Sequence, residues 1–190
     1  NLDKDGLRSK INNYELFFID IWGVIHNGLE IFQDSIEVLE NLEKNNKEFV
    51  LLTNAPRPNS TVIDFLKKMG LKKFYEDVYT SGEASLKYLM ENFLNSKFYH
   101  IGPSRDFDLF KRFEKNKVNN INQADYLICT GLFEDYETKL DYYKELLKKF
   151  SNKQFVCTNP DLIVDRGEVR EFCAGSVAKI FEEIGGKVIY

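Results

Sequence analysis

The sequence predicts an α/β protein in which a doubly wound parallel sheet carries a second, inserted α/β domain. Short apolar runs that suit buried strands alternate with segments of helical periodicity along the whole chain. This alternation is typical of a parallel sheet that is covered by helices. A stretch that is more polar and richer in Asn and Lys begins near residue 95. That change in composition indicates where the inserted domain starts.

The first domain is predicted from three strand–helix pairs. The first strand is a short apolar run that Gly23 closes, and the second helix is stopped by Gly70. Ser81 can cap the third helix. The predicted strands are Leu16–Ile21, Phe49–Leu52 and Val78–Thr80, and the predicted helices are Asp34–Asn45, Asn59–Met69 and Ser81–Met90.

The same alternation continues in the inserted domain and beyond it. The predicted strands are Phe98–Ile101, Tyr126–Thr130 and Phe155–Thr158, and the predicted helices are Ser104–Glu114 and Tyr136–Phe150. A last helix over Ala174–Ile184 and a strand from Lys187 to Tyr190 are assigned back to the first domain. The predicted domain limits are therefore 1–94 with 172–190 for the first domain, and 95–171 for the second.

Composition excludes several classes of protein. Of the 190 residues, 43% are hydrophobic, which is enough for a sizeable core. The formal charge of −4 gives no basic face for nucleic acid. No apolar run approaches the roughly 20 residues that a membrane span needs. Cys129, Cys157 and Cys173 are odd in number and widely spaced, which predicts buried free thiols in a cytoplasmic protein.

Asp20 is the first candidate functional residue. It closes a strand that is predicted to be buried, where a charge is costly unless something uses it. Ligands of open α/β sheets bind outside the carboxyl ends of the strands, which is where Asp20 lies, and Gly23 lets the chain turn beside it. From this stretch alone, an Asp that caps a turn is an equal alternative.

The second strand also ends in polar residues, Thr53 and Asn54. A hydroxyl and an amide at a strand end can donate hydrogen bonds to an anion, and backbone N–H groups of the next loop add to them. A carboxylate on one strand and anion donors on its neighbour suit phosphoryl transfer through a covalent aspartyl-phosphate. The alternative is an ordinary turn before Pro56.

These motifs resemble those of the haloacid dehalogenase superfamily. Asp-x-x-Gly-Val from Asp20 and Leu-Thr-Asn from Leu52 resemble its first two motifs. Four further segments occur in the order of the NagD-like class IIA branch: Thr80–Ala84, Cys129–Leu132, Thr158–Leu162 and Ala174–Ser176. The resemblance implies a Rossmann-like core, here incomplete, with an inserted α/β cap domain. It also implies a Mg²⁺-dependent phosphatase of small phosphorylated metabolites.

The resemblance assigns roles to individual residues. Asp20 would be the nucleophile, and Thr53 and Asn54 would hold the phosphoryl oxygens. Asp20 and the backbone carbonyl of Trp22 would be Mg²⁺ ligands. Asn159 and Asp161 resemble the cap loop that faces the substrate, with a capping Asn-Pro-Asp turn as the equal alternative. The expected partner is a small phosphorylated molecule, and assembly into a homo-oligomer through the cap is left open.

The sequence departs from the family pattern in two places. Trp22 stands where phosphatases of the superfamily carry an acid for the leaving group. The motif-three Lys and motif-four acidic pair, expected beyond Tyr190, are absent, so the 190-residue chain is expected to be inactive by itself. Two alternatives follow: a carbon–halogen hydrolase, which also has an aromatic residue at the Trp22 position, or a binding protein that has lost turnover.

His26 lies in the loop after Asp20 and could supply a proton near neutral pH. A solvent-exposed loop histidine without a catalytic role is the favoured interpretation, since exposed histidines are common.

Overall fold

The structure is a computed structural model that describes residues 6–190. Its strands are β1 (Leu16–Asp20), β2 (Glu48–Thr53), β3 (Val78–Thr80), β4 (Phe98–Ile101), β5 (Tyr126–Cys129), β6 (Gln154–Cys157), β7 (Ile163–Arg166), β8 (Val169–Phe172) and β9 (Lys187–Ile189). Its α-helices are α1 (Gln33–Lys44), α2 (Asn59–Lys68), α3 (Ser81–Asn92), α4 (Leu140–Leu147) and α5 (Ala174–Glu183). Short 3₁₀ helices and a longer one over Ser104–Asn116 complete the elements.

Residue contacts divide the chain into two compact units. Within residues 6–190, unit one comprises the residues up to Thr53 together with Ile63–Tyr79, and unit two comprises Asn54–Val62 together with Thr80–Tyr190. The segment Asn54–Val62, which directly follows β2, therefore belongs to unit two.

The sheet that contains β1 has three strands in the order β1-β2-β3. β1 and β2 are parallel, with Leu16 opposite Glu48 and Asp20 opposite Leu52. The amphipathic helix α1 buries Leu39 and Leu42, three residues apart on one face. The outer face of β1 stays open, since Phe18 is 67% exposed.

The sheet of unit two has four parallel strands in the order β4-β5-β6-β9. Phe98 lies opposite Tyr126, and Tyr126 lies opposite Gln154, so the three strands run in register. All four residues of β5 are buried, as expected of a central strand that is covered on both faces. One core cluster packs α4 and α5 against this sheet, and a second packs α3 and the 3₁₀ segment Ser104–Asn116 against it.

The predicted α/β class and the parallel sheets are confirmed. The order of elements also follows the prediction, with three differences. The predicted helix Ser104–Glu114 is a 3₁₀ segment over Ser104–Asn116, with a non-helical backbone at Phe113. The predicted helix Tyr136–Phe150 is regular only over α4, because residues 134–136 form a separate 3₁₀ turn. The hairpin β7–β8 was not predicted. Its turn contains Gly167 at φ +60, and this glycine between two β-branched residues, Val164 and Val169, was the available signal.

The last helix and strand lie with the second sheet. β9 pairs in parallel with β6, with Lys187 opposite Gln154, so the tail 172–190 contributes to unit two rather than to the sheet of β1. Strand pairing through space decides this, and no local pattern in the tail encodes it. The domain limits inferred from composition, 1–94 with 172–190 and 95–171, otherwise stay a prediction.

Two expectations from composition can be compared with the structure. Cys129, Cys157 and Cys173 are free and buried, as predicted. Within residues 6–190, no helix combines the length and the apolar character needed to cross a membrane.

Candidate active site

Asp20 and Thr53 are the last residues of two adjacent parallel strands. Because parallel strands end at the same edge of a sheet, both side chains start from the edge where ligands of α/β sheets bind. Asp20 is exposed, and its Oδ1 accepts a hydrogen bond from the N–H of Ile21 at 2.8 Å. Asp20 and Thr53 therefore lie at the same edge of this sheet, as the two polar strand ends predicted, and the catalytic role of Asp20 stays a prediction.

The loop that follows β1 is tightly folded. We call residues 21–32, which follow the predicted nucleophile Asp20, the nucleophile loop. The carbonyl of Ile21 accepts the N–H groups of Ile25 and His26 at 2.8 and 3.3 Å, and Gly23 N–H donates to the carbonyl of His26 at 2.7 Å. Gly23 has φ +76, a conformation that side chains rarely adopt, which explains the glycine at this turn. The chain therefore forms a tight, hydrogen-bonded turn immediately after Asp20 in the sequence.

His26 is buried, with 3% of its surface exposed, so the favoured interpretation of a solvated loop histidine is wrong. Its ring packs edge-on against Trp22 and Phe65. Burial lowers the pKa of His26 below its usual 6.5. The N–H of Gly28 donates to Nδ1 at 2.8 Å, so the neutral ring carries its proton on Nε2. At neutral pH this side chain is a poor source of protons.

Asn54 follows Thr53 in the sequence but belongs to unit two. Its side-chain amide donates to Oδ1 of Asp161 at 2.9 Å, and the N–H of Asp161 donates to Oδ1 of Asn159 at 3.0 Å. Three of the predicted site residues, Asn54, Asn159 and Asp161, are therefore brought together. Sequence reasoning assigned them separately to phosphate and to substrate, and their roles stay predictions.

Arg57 is a residue that sequence reasoning missed. Its guanidinium donates through Nε to both carboxylate oxygens of Asp108 at 3.0 Å and through Nη2 to Oδ2 at 2.8 Å. Thr61 donates to the same Oδ2 at 2.7 Å, and Nη1 lies 3.5 Å from Oδ1 of Asp106. The partners are 51 positions apart, and no sequence motif pairs them. Contacts of this kind hold the segment Asn54–Val62 in unit two.

The Thr80–Glu83 motif explains part of this arrangement. Thr80 caps α3 by accepting the N–H of Glu83 at 2.9 Å, and its hydroxyl donates to the carbonyl of Arg57 at 2.6 Å. At Gly82, a Cβ would lie 2.3 Å from the backbone nitrogen of Arg57, so only glycine fits. Glu83 accepts the N–H of Asn59 at 3.0 Å. Thr80, Gly82 and Glu83 therefore join the start of α3 to the loop after β2.

A buried polar group lies next to Arg57. Asp106 is 4% exposed, and burial raises its pKa to about 6, although hydrogen bonding to Thr130 and the nearby guanidinium oppose the shift. Thr130 also contacts Nε2 of His100 at 2.8 Å. Burial, and then Lys117, lower the pKa of His100 to about 3, so its ring is neutral. Gly102 permits this contact, because a Cβ there would lie 2.1 Å from Oγ1 of Thr130.

Within residues 6–190, no three or more His, Cys, Asp or Glu side chains form a group that could hold a metal ion. The predicted Mg²⁺ ligands, Asp20 and the carbonyl of Trp22, are hard oxygen donors of the right chemical kind. They provide two of the roughly six ligands that Mg²⁺ requires. These two donors therefore suit Mg²⁺ in chemical kind but not in number.

A family model described as haloacid dehalogenase-like hydrolase matches residues 17–114. An acid sugar phosphatase of Staphylococcus epidermidis is 25% identical over 164 residues, which are 82% of this chain and 60% of the relative. The chain therefore spans about 60% of the length of the curated relatives that it matches.

Solved structures of this family resemble the chain more completely. A haloacid dehalogenase-like hydrolase from Brucella suis 1330 has a TM-score of 0.87 and 31% identity, covering 96% of this chain and 70% of that one. A 4-nitrophenylphosphatase from Thermotoga maritima has a TM-score of 0.68 and 26% identity, covering 94% and 69%. NagD from E. coli K-12 shares the fold, as the motifs predicted. Its TM-score is 0.64 at 22% identity, and the match covers 93% of this chain and 68% of NagD. The chain thus belongs to the haloacid dehalogenase-like hydrolase family.

Proposed function

We propose that the protein is a phosphatase of small phosphorylated metabolites and that Asp20 is its nucleophile. The observation that carries the proposal is the position of Asp20 and Thr53 at the ends of adjacent parallel strands, with the Asp20 carboxylate exposed. Membership of a hydrolase family supports it. So do the names of two relatives, an acid sugar phosphatase and a 4-nitrophenylphosphatase.

The reaction has two steps. In the first, a carboxylate oxygen of Asp20 attacks phosphorus, and the bond from phosphorus to the leaving-group oxygen breaks with its electron pair on that oxygen. In the second, water attacks the phosphorus of the aspartyl-phosphate and releases a proton to the solvent. The bond between phosphorus and the Asp20 oxygen then breaks, which releases phosphate and restores the carboxylate. The Thr53 hydroxyl donates a hydrogen bond to a phosphoryl oxygen in both steps.

Mg²⁺ is the expected cofactor. Asp20 and the Trp22 carbonyl would hold it together with further oxygen ligands. When bound, the ion would reduce the negative charge that the phosphoryl group presents to Asp20. The contributions of Asn54 to phosphate binding and of Asn159 and Asp161 to substrate choice stay predictions.

Covalent trapping tests the proposal. The full-length protein, and not the 190-residue chain alone, is incubated with Mg²⁺ and acetyl phosphate, quenched in acid and reduced with borohydride, which converts an aspartyl-phosphate to homoserine. Mass spectrometry should find the label at residue 20 in the wild type and none there in Asp20→Asn. Asp64→Asn, which changes an exposed aspartate on α2, is the matched control and should label normally. Label that persists elsewhere in Asp20→Asn, or hydrolysis of phosphate esters by that variant, would contradict the proposal.

The carbon–halogen alternative differs in its products. Halide release from a 2-haloacid without metal, together with no label from acetyl phosphate, would favour it. Phosphate release that depends on Asp20 would exclude it.

A further inference from the structure

His26 is enclosed by aromatic rings in the nucleophile loop. The centroid of its imidazole lies 5.2 Å from that of Trp22 and 5.4 Å from that of Phe65, and both contacts are edge-on. Such geometry is favourable for aromatic pairs. Burial to 3% exposure and contacts with two aromatic rings restrict how the imidazole can reorient. His26 is therefore a fixed part of the loop.

Hydrogen bonds at His26 join the beginning of the loop to its middle. Gly23 N–H donates to the His26 carbonyl at 2.7 Å, and Gly28 N–H donates to Nδ1 at 2.8 Å. The backbone of His26 also forms bridges with Trp22 and with Ile31. Of these contacts, only the bond to Nδ1 depends on the side chain. A residue here must present both an aromatic edge and an acceptor at the Nδ1 position, and histidine does so.

Gly28 completes the cluster. It has φ +88, and a Cβ at this position would lie 2.8 Å from Cη2 and 3.2 Å from Cζ2 of Trp22. The six-membered ring of the indole therefore packs against the backbone of Gly28 at the place where a side chain would lie. No larger residue fits without moving the indole, because the clash is with a ring that His26 also contacts.

We propose that His26 is a positioning residue, which holds the indole of Trp22 against Gly28 and so sets the course of the nucleophile loop behind Asp20. We call these three residues the loop lock. In this arrangement the residue two positions after Asp20 serves as a packing group. The lock itself is independent of the reaction, whereas its effect on Asp20 rests on the proposed function.

Fluorescence tests the contact between Trp22 and Gly28. Trp22 is the only tryptophan of the chain, so intrinsic emission reports on this side chain alone. Gly28→Ala should move the emission to longer wavelength and increase quenching by acrylamide, because the added methyl group displaces the indole. Gly70→Ala is the matched control: Gly70 has φ +100, and its Cβ would meet nothing within 4 Å. Equal emission and quenching in both variants would overturn the lock.

Amide hydrogen exchange tests the role of the imidazole. His26→Phe keeps an aromatic ring but removes the acceptor, so exchange at Gly28 N–H should accelerate about fivefold to tenfold, the net worth of one hydrogen bond. Exchange at Gly23 N–H should stay slow, since its acceptor is a backbone carbonyl. His26→Asn places Oδ1 where Nδ1 was and should restore protection at Gly28. Unchanged exchange at Gly28 in His26→Phe would overturn the assignment.

Labelling of Asp20 by acetyl phosphate separates the lock from the proposed function. Gly28→Ala should slow labelling relative to Gly70→Ala, and unchanged labelling together with a displaced indole would overturn the positioning role. If the wild type is never labelled, the proposed function fails, while fluorescence and exchange still decide the lock. Should Gly28→Ala not fold, as judged by circular dichroism, the pair His26→Phe and His26→Asn carries the test.

Discussion

The side-chain amide of Asn54 donates a 2.9 Å hydrogen bond to the carboxylate of Asp161, 107 residues further along the chain. Both residues belong to unit two, although Asn54 directly follows the last residue of β2. Asn159 fixes the acceptor by receiving the backbone N–H of Asp161. The segment after β2 is thereby tied to the loop after β6.

A double-mutant cycle should detect this tie. Asn54→Ala and Asp161→Ala should each reduce the free energy of unfolding, and the double variant should show a coupling of about 1 kcal/mol, the usual worth of one such bond. Denaturant unfolding gives the free energy of unfolding of the wild type, the two single variants and the double variant. Asn54→Ala combined with Asp165→Ala, a hairpin aspartate that pairs with Arg170, is the control and should be additive. Additivity in the Asn54/Asp161 cycle would mean that the bond contributes nothing in solution.

The Arg57–Asp108 pair should contribute more than a surface ion pair. Asp108→Asn keeps the shape but removes the charge from a bidentate, partly buried contact, where the side chains are 27% and 20% exposed. We expect a loss of about 1.5–3 kcal/mol in the free energy of unfolding. Asp165→Asn removes the charge from the similar pair with Arg170, in which the side chains of Arg170 and Asp165 are 65% and 58% exposed. This change should reduce the free energy of unfolding by less than about 1 kcal/mol. Equal costs for the two variants would contradict the interpretation.

Asp106 should make stability depend on pH. Its pKa rises from 3.8 to about 6 on folding, because burial outweighs the hydrogen bond from Thr130 and the attraction of Arg57 and Arg105. The folded state therefore holds the proton more tightly than the unfolded chain. The stabilisation from this group is fully present below about pH 4 and is lost as the pH rises through 6.

Asp106→Asn isolates that contribution, since the amide does not titrate. The free energy of unfolding of the variant minus that of the wild type should increase by up to about 3 kcal/mol between pH 4 and pH 7. Urea unfolding at several pH values measures the difference. A difference that does not change between pH 4 and pH 7 would show that the pKa of Asp106 is not raised.

In the full-length protein, the indole at position 22 should restrict the leaving groups that the proposed phosphatase can release. With no acid at this position, good leaving groups such as phenolates depart unaided, whereas sugar alkoxides do not. We expect kcat/KM for aryl or acyl phosphates to exceed that for sugar phosphates by at least about 10²-fold, the low end of what a general acid contributes. Trp22→Asp should narrow this gap, provided that the loop lock tolerates the loss of the indole. Equal rates of the wild-type enzyme on both classes would disprove the account.

His26 gives the same reaction a second test. Because burial lowers its pKa and its Nδ1 accepts a hydrogen bond, it should not replace the missing acid. His26→Ala should therefore lower the rates of hydrolysis of aryl and alkyl phosphates by the same factor, as expected of a residue that positions the loop. A selective loss on alkyl phosphates would identify His26 as the proton donor.

The sequence by itself determined the α/β class, the order of the main strands and helices, and the two polar strand ends at Asp20 and Thr53. These features are encoded locally, by apolar periodicity, capping residues and glycine stops. The placement of Asp20 and Thr53 on neighbouring strands also followed, since parallel strands joined by one helix are usually neighbours.

Only the tertiary structure decided which distant residues meet. Three contacts join segments that are far apart in the chain: the pairing of β9 with β6, the ion pair of Arg57 with Asp108, and the hydrogen bond of Asn54 to Asp161. His26 shows the same limit at short range. Its sequence neighbours indicated an exposed loop, but the rings of Trp22 and Phe65 bury it. Burial depends on what packs against a side chain, and residues remote in sequence supply part of that packing.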